Sequence, residues 1–377
     1  MEILVTPDSF KGSLSARELC AAVKKGIHQV VPDAIVHEIP LADGGEGTLE
    51  NILYATNGTS KKVNVKDPLG RPVTAAYGVL NDTQTAVIEM AQASGLPLLE
   101  ETERNPLLAS SYGTGELIKD ALDQGYRNFI IGLGGSATND GGTGLLKALG
   151  VRFYDKAGVE LAEGGGALLD LHHFDDSALD ARISESTFLV ASDVTNPLCG
   201  DDGASAIFGP QKGATAEMIA HLDQALLNYG EIIKAQKGVD IVNAPGAGAA
   251  GGMGAGLLVF CGAQIKPGID IMMDAVDFDK HLKQVSLIIT GEGRLDKQTF
   301  SGKVISGVCN KAKSRNIPVL ALCGGLELSP GQCTKLGLTA AFSIVPKPCE
   351  LEEAFRHTAE WAENQTAQMI KLIQLSL

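Results

Sequence analysis

Residues 2–40 read EILVTPDSFKGSLSARELCAAVKKGIHQVVPDAIVHEIP, and this stretch decides the fold class. Glu2 to Thr6 is a short apolar run closed by a turn, the pattern of a buried strand. Ser15 with Glu18 three residues later forms a capping box, which predicts a helix ending near Val30. Ala34 to Pro40 repeats the strand pattern and Asp43 to Tyr54 the helix pattern. A strand, helix, strand, helix order is the grammar of a parallel sheet covered on both faces.

The far end of the chain follows the same grammar. Ser286 to Thr290, Val319 to Cys323 and Ala340 to Val345 read as strands, and they alternate with helices near Gly302 to Ser314 and Leu351 to Leu377. The two ends are therefore expected to share one sheet. Between them Lys61 to Val65, Pro72 to Val79 and Thr85 to Glu89 come as consecutive strands joined by Asp-Pro and Asn-Asp turns, which predicts an antiparallel piece. Asn128 to Leu133 and Thr187 to Ser192 are apolar strands that fit either sheet. The expected architecture is α/β with two domains: residues 1–66 and 286–377 form one, and residues 67–285 form a mixed α/β domain inserted into it.

The 377 residues suit two domains, and 44% hydrophobic with 20% charged residues supports a large packed core. With 31 Lys plus Arg against 45 Asp plus Glu, the net charge of −14 argues against nucleic acid or an anionic membrane as partner. The seven cysteines are widely spaced with no C-x-x-C pair, so reduced thiols are expected rather than zinc or a redox dithiol. The start lacks a basic segment followed by a long apolar one, and no apolar run is long enough to cross a bilayer, which leads to the expectation of a soluble, cytoplasmic protein. The sequence is compatible with a homo-oligomer and does not decide it.

Glycine is in excess, 45 residues or about 12% against a usual 7% or so, and it clusters after apolar runs. Five such runs pass straight into loops of Gly with Asp, Glu, Ser, Thr or Asn: ILVTPDSFKGS, IPLADGGEG, FIIGLGGSATNDGG, FLVASDVTNPL and LIITGEGRLDKQTFSGK. Ligands of open α/β sheets sit outside the carboxyl ends of the strands, so these loops are where a site would be built. Asp8, Ser9 and Lys11 bring a carboxylate, a hydroxyl and an ammonium to that edge. Asp43 and Glu46 suit a helix cap equally well.

The run from Gly132 contains G-x-G-x-x-A after a strand, a variant dinucleotide fingerprint. Asn139 and Asp140 interrupt the helix start where a pyrophosphate would lie, so backbone donors from Gly134 and Gly135, the hydroxyls of Ser136 and Thr138 and the Asp140 carboxylate suit a phosphate held with a divalent metal better. Asp193 ends a strand before the Asn196-Pro197 corner, where it can bind Mg2+, orient a hydroxyl or hold an Asx-turn. Lys212, between glycines in GPQKG, reads as a mobile cationic arm. Ala247 to Gly256 reads first as a closely packed helix start and second as a phosphate loop. Glu292, Arg294, Asp296 and Lys303 put both signs of charge in one loop and helix start, which fits metal binding with anion clamping or a salt-bridged surface. There is no Walker A, H-x-x-x-H or G-x-S-x-G motif.

PDSFKGSLSA from Pro7, PLADGGEGT from Pro40, GGSATNDGG from Gly134, SDVTNPLCG from Ser192, FGPQKGA from Phe208 and TGEGRLDKQTFSGK from Thr290 together resemble the bacterial type I glycerate kinases, almost end to end. The resemblance implies two α/β domains, one Rossmann or flavodoxin-like and formed from both chain ends, with the site in the cleft between them. It implies transfer of the ATP γ-phosphoryl group to a hydroxyl of D-glycerate, with 2-phosphoglycerate favoured over 3-phosphoglycerate. ATP and Mg2+ are the expected cofactors. Asp193 and Asp296 are the candidates for orienting the hydroxyl and holding the metal, with Asp140 a further metal candidate. Lys11 and Arg294 are further catalytic candidates and, with Asp8 and Ser9, the candidates for substrate, and Gly134, Gly135, Ser136, Thr138, Lys212 and Lys303 are those for nucleotide. Two other classes stay open: an NAD-dependent dehydrogenase of a small hydroxy acid, and a non-catalytic sensor of such an acid.

Overall fold

A computed structural model describes residues 1–42, 47–81, 84–300 and 304–375. The chain divides into two compact units, Met1–Asp43 with Glu50–Thr56 and Ile269–Leu377, and Gly44–Leu49 with Asn57–Gly268.

The first unit holds a five-stranded sheet in which every pairing is parallel. Its order across the sheet is Ala340–Ser343, Val319–Leu326, Leu287–Leu295, Glu2–Val5, Ile35–Glu38. Counted along this unit, that is the flavodoxin-like order 2-1-3-4-5. Both chain ends contribute to this sheet, as expected. The order reverses between Glu2–Val5 and Leu287–Leu295, where Ile3, Leu4 and Val5 lie opposite Leu287, Ile288 and Ile289. Ile3, Val5, Leu287, Ile289, Leu320 and Leu322 are buried against Leu19, Val23 and Ile27 of the Ala16–His28 helix and Trp361 and Ile370 of the Leu351–Gln374 helix. The capping box is present: Ser15 accepts from the Glu18 amide, and the Glu18 carboxylate accepts from the Ser15 amide. The two helices cross closely because residue 26 is glycine; a Cβ there would lie 2.3 Å from the Glu363 carbonyl oxygen.

The second unit holds a mixed six-stranded sheet, ordered Gln264–Lys266, Thr187–Ala191, Asn128–Gly132, Thr85–Glu89, Pro72–Leu80, Thr59–Lys66. The first four strands run parallel, and the last three form the antiparallel piece read from the sequence. The strands Asn128–Gly132 and Thr187–Ala191, open to either sheet on sequence, belong here, where Phe129 and Phe188 are register partners with stacked rings 4.6 Å apart. A separate hairpin pairs Arg152–Tyr154 with His173–Asp175. Among the described residues no helix is long and apolar enough to cross a membrane.

Candidate functional site

In the first unit the site lies where the sheet order reverses. Beyond Val5 the chain keeps pairing with the neighbouring strand: the Thr6 amide donates to the Ile289 carbonyl and the Asp8 amide to the Gly291 carbonyl, each at 2.8 Å. The Thr290 hydroxyl closes the same seam by donating to the Thr6 carbonyl at 2.9 Å. This extended pairing sets Asp8 beside the polar end of Leu287–Leu295. Asp8 is buried, and its Oδ1 accepts from the Ser9 amide at 2.6 Å. The loop then turns tightly, with Phe10 and Leu14 bonded to each other through their backbones, and leaves Lys11 exposed at its tip.

The strand Leu287–Leu295 reaches further than the sequence suggests. Glu292 and Arg294 were expected in a loop, but they sit on the strand, opposite Cys323 and Gly325. The cause is the equal extension of its neighbour to Leu326, which carries no side chain at Gly324 and Gly325 to obstruct it. Glu292 is buried and accepts a hydrogen bond from the Thr299 hydroxyl. Arg294 is exposed, and its Nε donates to Glu327 at 2.7 Å while Asp296 lies 3.7 Å away. Asp296 turns the chain into the next helix by accepting from the Gln298 amide at 2.7 Å. Lys303, like Asp43 and Glu46, lies outside the described residues.

The Asp8–Ser13 loop and the far end of the Leu287–Leu295 strand line a pocket of about 670 Å³. Asp8, Ser9, Lys11, Glu292, Arg294 and Asp296 form one part of its wall, and Ile344, Val345, Leu351, Ala354 and Phe355 another. The apolar part was missed on sequence, because a helix such as Leu351–Gln374 with apolar residues at helical spacing reads as core-facing throughout. The exposure of Leu351 and Phe355 at its first turns becomes visible only in three dimensions.

In the second unit the loop after Gly132 emerges at the sheet edge and then dives inward. Gly134 and Gly135 are exposed, whereas Ser136 is nearly covered and Thr138, Asn139 and Asp140 are fully buried. Asp140 organises the loop. Its Oδ2 accepts from the Ser111 amide and hydroxyl, both at 2.8 Å, and from the Gly144 amide at 3.2 Å, while Oδ1 accepts from the Gly142 amide at 3.1 Å. Burial pushes its carboxyl upward, against those hydrogen bonds. Gly251 packs against the same loop in a left-handed conformation with φ of 67°, and a Cβ there would fall 2.0 Å from the Thr138 carbonyl oxygen. The Ala247–Gly256 run is thus a close-packed segment, the first of its two sequence readings.

Lys212 is not the mobile arm expected between its glycines. It is 1% exposed, and its Nζ donates to the Thr138 carbonyl at 2.6 Å. Burial pulls its ammonium down to about 7, with Asp140 opposing the shift. Asp193 sits just past the Thr187–Ala191 strand, exposed, and its Oδ1 accepts from the Gly268 amide at 3.1 Å. Parallel register places Gly132 opposite Ala191, so the glycine loop and Asp193 leave the same edge of this sheet.

Among the described residues no group of three His, Cys, Asp or Glu side chains could by itself hold a metal ion. A magnesium ion in a phosphoryl-transfer site ordinarily needs only one or two carboxylates, with substrate phosphates and water completing its shell. Asp296 in the first unit and Asp193 in the second each present a carboxylate, the hard oxygen donor such an ion takes, whereas both Asp140 oxygens are occupied by donors from Ser111, Gly142 and Gly144.

Comparison with known proteins is consistent along the whole chain. The model of the glycerate kinase family matches residues 3–374. The chain is 49% identical over 356 residues to the glycerate 2-kinase of Escherichia coli (strain K12), covering 94% of this chain and 93% of that protein. It is 47% identical over 376 residues to the glycerate kinase of Bacillus subtilis (strain 168), covering 100% of this chain and 98% of the relative. A crystal structure from Salmonella typhimurium LT2, assigned as a glycerate kinase 2, superposes with a TM-score of 0.91 at 47% identity, covering 100% of this chain and 99% of the other.

Proposed function

Since the chain belongs to the glycerate kinase family and is an ATP-dependent kinase, we propose that it transfers the γ-phosphoryl group of ATP to the C2 hydroxyl of D-glycerate, giving 2-phosphoglycerate and ADP. The observation that carries this reading is the pocket at the strand-order reversal, whose lining includes Lys11 and Arg294 together with Asp8 and Asp296. The C2 preference rests on the name of the Escherichia coli relative.

Both reactants are anions and the protein carries a net charge of −14, so local cations must overcome the general field. Lys11 supplies a point charge. Arg294 supplies a planar fork suited to a carboxylate or phosphate, and an incoming anion competes with Glu327 for it. Asp8 and Ser9 hold the glycerate hydroxyls. Asp296 and Asp193 orient the attacking hydroxyl or fix the ion that accompanies ATP. A magnesium ion held by such a carboxylate would supply neutralisation of the charge on the nucleotide phosphates. Gly134 and Gly135 offer backbone donors at the exposed part of their loop, with Ser136 nearly covered beside them, and Lys212 with Thr138 and Asp140 keeps that loop in shape. Most of the rate enhancement then comes from positioning and charge neutralisation.

Coupled measurement of ADP release with D-glycerate and Mg-ATP tests this function. Glycerate-dependent ADP formation, with thermal stabilisation by Mg-ATP and not by NADH, supports it. Stabilisation by NADH without ADP formation would transfer the case to a dehydrogenase, and binding of glycerate with no turnover to a sensor.

A further inference from the structure

The pocket of the first unit is too large for a three-carbon acid. At about 670 Å³ it falls within the range of about 300–1,000 Å³ typical of sites for much larger ligands. Its apolar wall is also unexplained by glycerate, which has nothing to offer it. Leu351 is 67% exposed and Phe355 is 40% exposed, although both stand in the first turns of a helix whose later residues are buried. Large apolar side chains left open beside charged groups mark a ligand that is itself apolar at one end and charged at the other.

The wall is built to stay in place. The Ser13 hydroxyl donates to the Phe355 carbonyl at 3.0 Å and lies 2.6 Å from the Thr358 hydroxyl. These bonds fasten the Lys11 loop to the helix. Gly12, with φ of 80°, lies so near the Phe355 ring that a Cβ would be 3.3 Å from it. Gly324 and Gly325 keep side chains off the adjoining floor. A flat ring system can therefore lie along the Phe355 side while its charged tail extends toward Lys11 and Arg294.

We propose that this apolar wall binds the nucleoside of ATP, with Phe355 and Leu351 as the residues that hold the base. The assignment rests on the kinase reading above. Base stacking on an aromatic side chain is sequence-tolerant and strong enough to change affinity by about tenfold or more.

The test is calorimetric binding of Mg-ADP and of inorganic tripolyphosphate to the full-length protein, to Phe355→Ala and to Leu351→Ser. Both sites are exposed, and serine is tolerated at the start of a helix and adds no charge against the phosphates, so Leu351→Ser guards against a folding artefact at Phe355. The expected result is ADP affinity lowered about tenfold or more in both variants, with tripolyphosphate affinity held within about twofold. ADP affinity unchanged in both variants, or ADP and tripolyphosphate weakened alike, would overturn the assignment. A wild-type protein that binds no ADP and turns over no ATP removes the kinase reading itself, a different outcome from wild-type binding that the variants retain.

Discussion

Lys212 donates from Nζ to the Thr138 carbonyl at 2.6 Å, so a buried ammonium pins the loop that also contains Asp140. Its proton has a measurable signature. In the unfolded chain lysine titrates near 10.4, whereas burial brings it to about 7 in the folded protein. Below about pH 7 both states hold the proton. Between about 7 and 10.4 the unfolded chain holds it and the folded one does not, so this residue makes stability rise with pH, by about 1.4 kcal/mol per unit. Urea unfolding of wild type and Lys212→Met at pH 7, 8 and 9 should give stabilities whose difference changes steadily in that direction. Parallel curves would mean that Lys212 does not titrate there.

Asp140 accepts four hydrogen bonds without exposure to solvent. Removing the carboxylate leaves the buried Ser111 and Gly142 donors unanswered, at a cost of about 3 kcal/mol. Asp140→Ala should show this loss in chemical denaturation, and Asp140→Asn, which keeps one acceptor, should lose less. Equal and small losses would place the loop's stability elsewhere.

Asp296→Asn keeps an acceptor for the Gln298 amide, and Asp193→Asn keeps one for the Gly268 amide, so each variant removes charge while sparing the local turn. Each should lower kcat at least about tenfold, equivalent to about 1.4 kcal/mol on the barrier. Steady-state kinetics near wild type for both would remove these carboxylates from the chemistry.

Arg294 is held by Glu327 and lies near Asp296. Arg294→Lys retains charge but loses the planar fork, so its KM for D-glycerate or ATP should rise about tenfold. A lysine variant with both KM values of the wild type would show that only charge matters at this position.

Much of the fold was legible because strands and caps are local. The apolar run Glu2–Val5 and the Ser15–Glu18 box announce themselves within a few residues. Strand order is not local: the neighbour of Glu2–Val5 begins at Leu287, and nothing in either segment states that they pair. For the same reason Asn128–Gly132 could be recognised as a strand but not assigned to a sheet. In the candidate site, Asp8, Lys11, Arg294 and Asp296 were singled out because each follows an apolar run in the sequence, and the fold sets them along one pocket. Lys212 was misread because its burial depends on a carbonyl 74 residues earlier. Phe355 was missed because helical spacing cannot distinguish a ring facing the core from one facing a pocket.

Phosphorus NMR of the product formed from D-glycerate and Mg-ATP reads out directly which hydroxyl receives the phosphoryl group. A phosphate resonance coupled to the single proton on C2, growing as ADP accumulates, is the predicted result. A resonance coupled to the C3 methylene, or inorganic phosphate alone, would contradict the account.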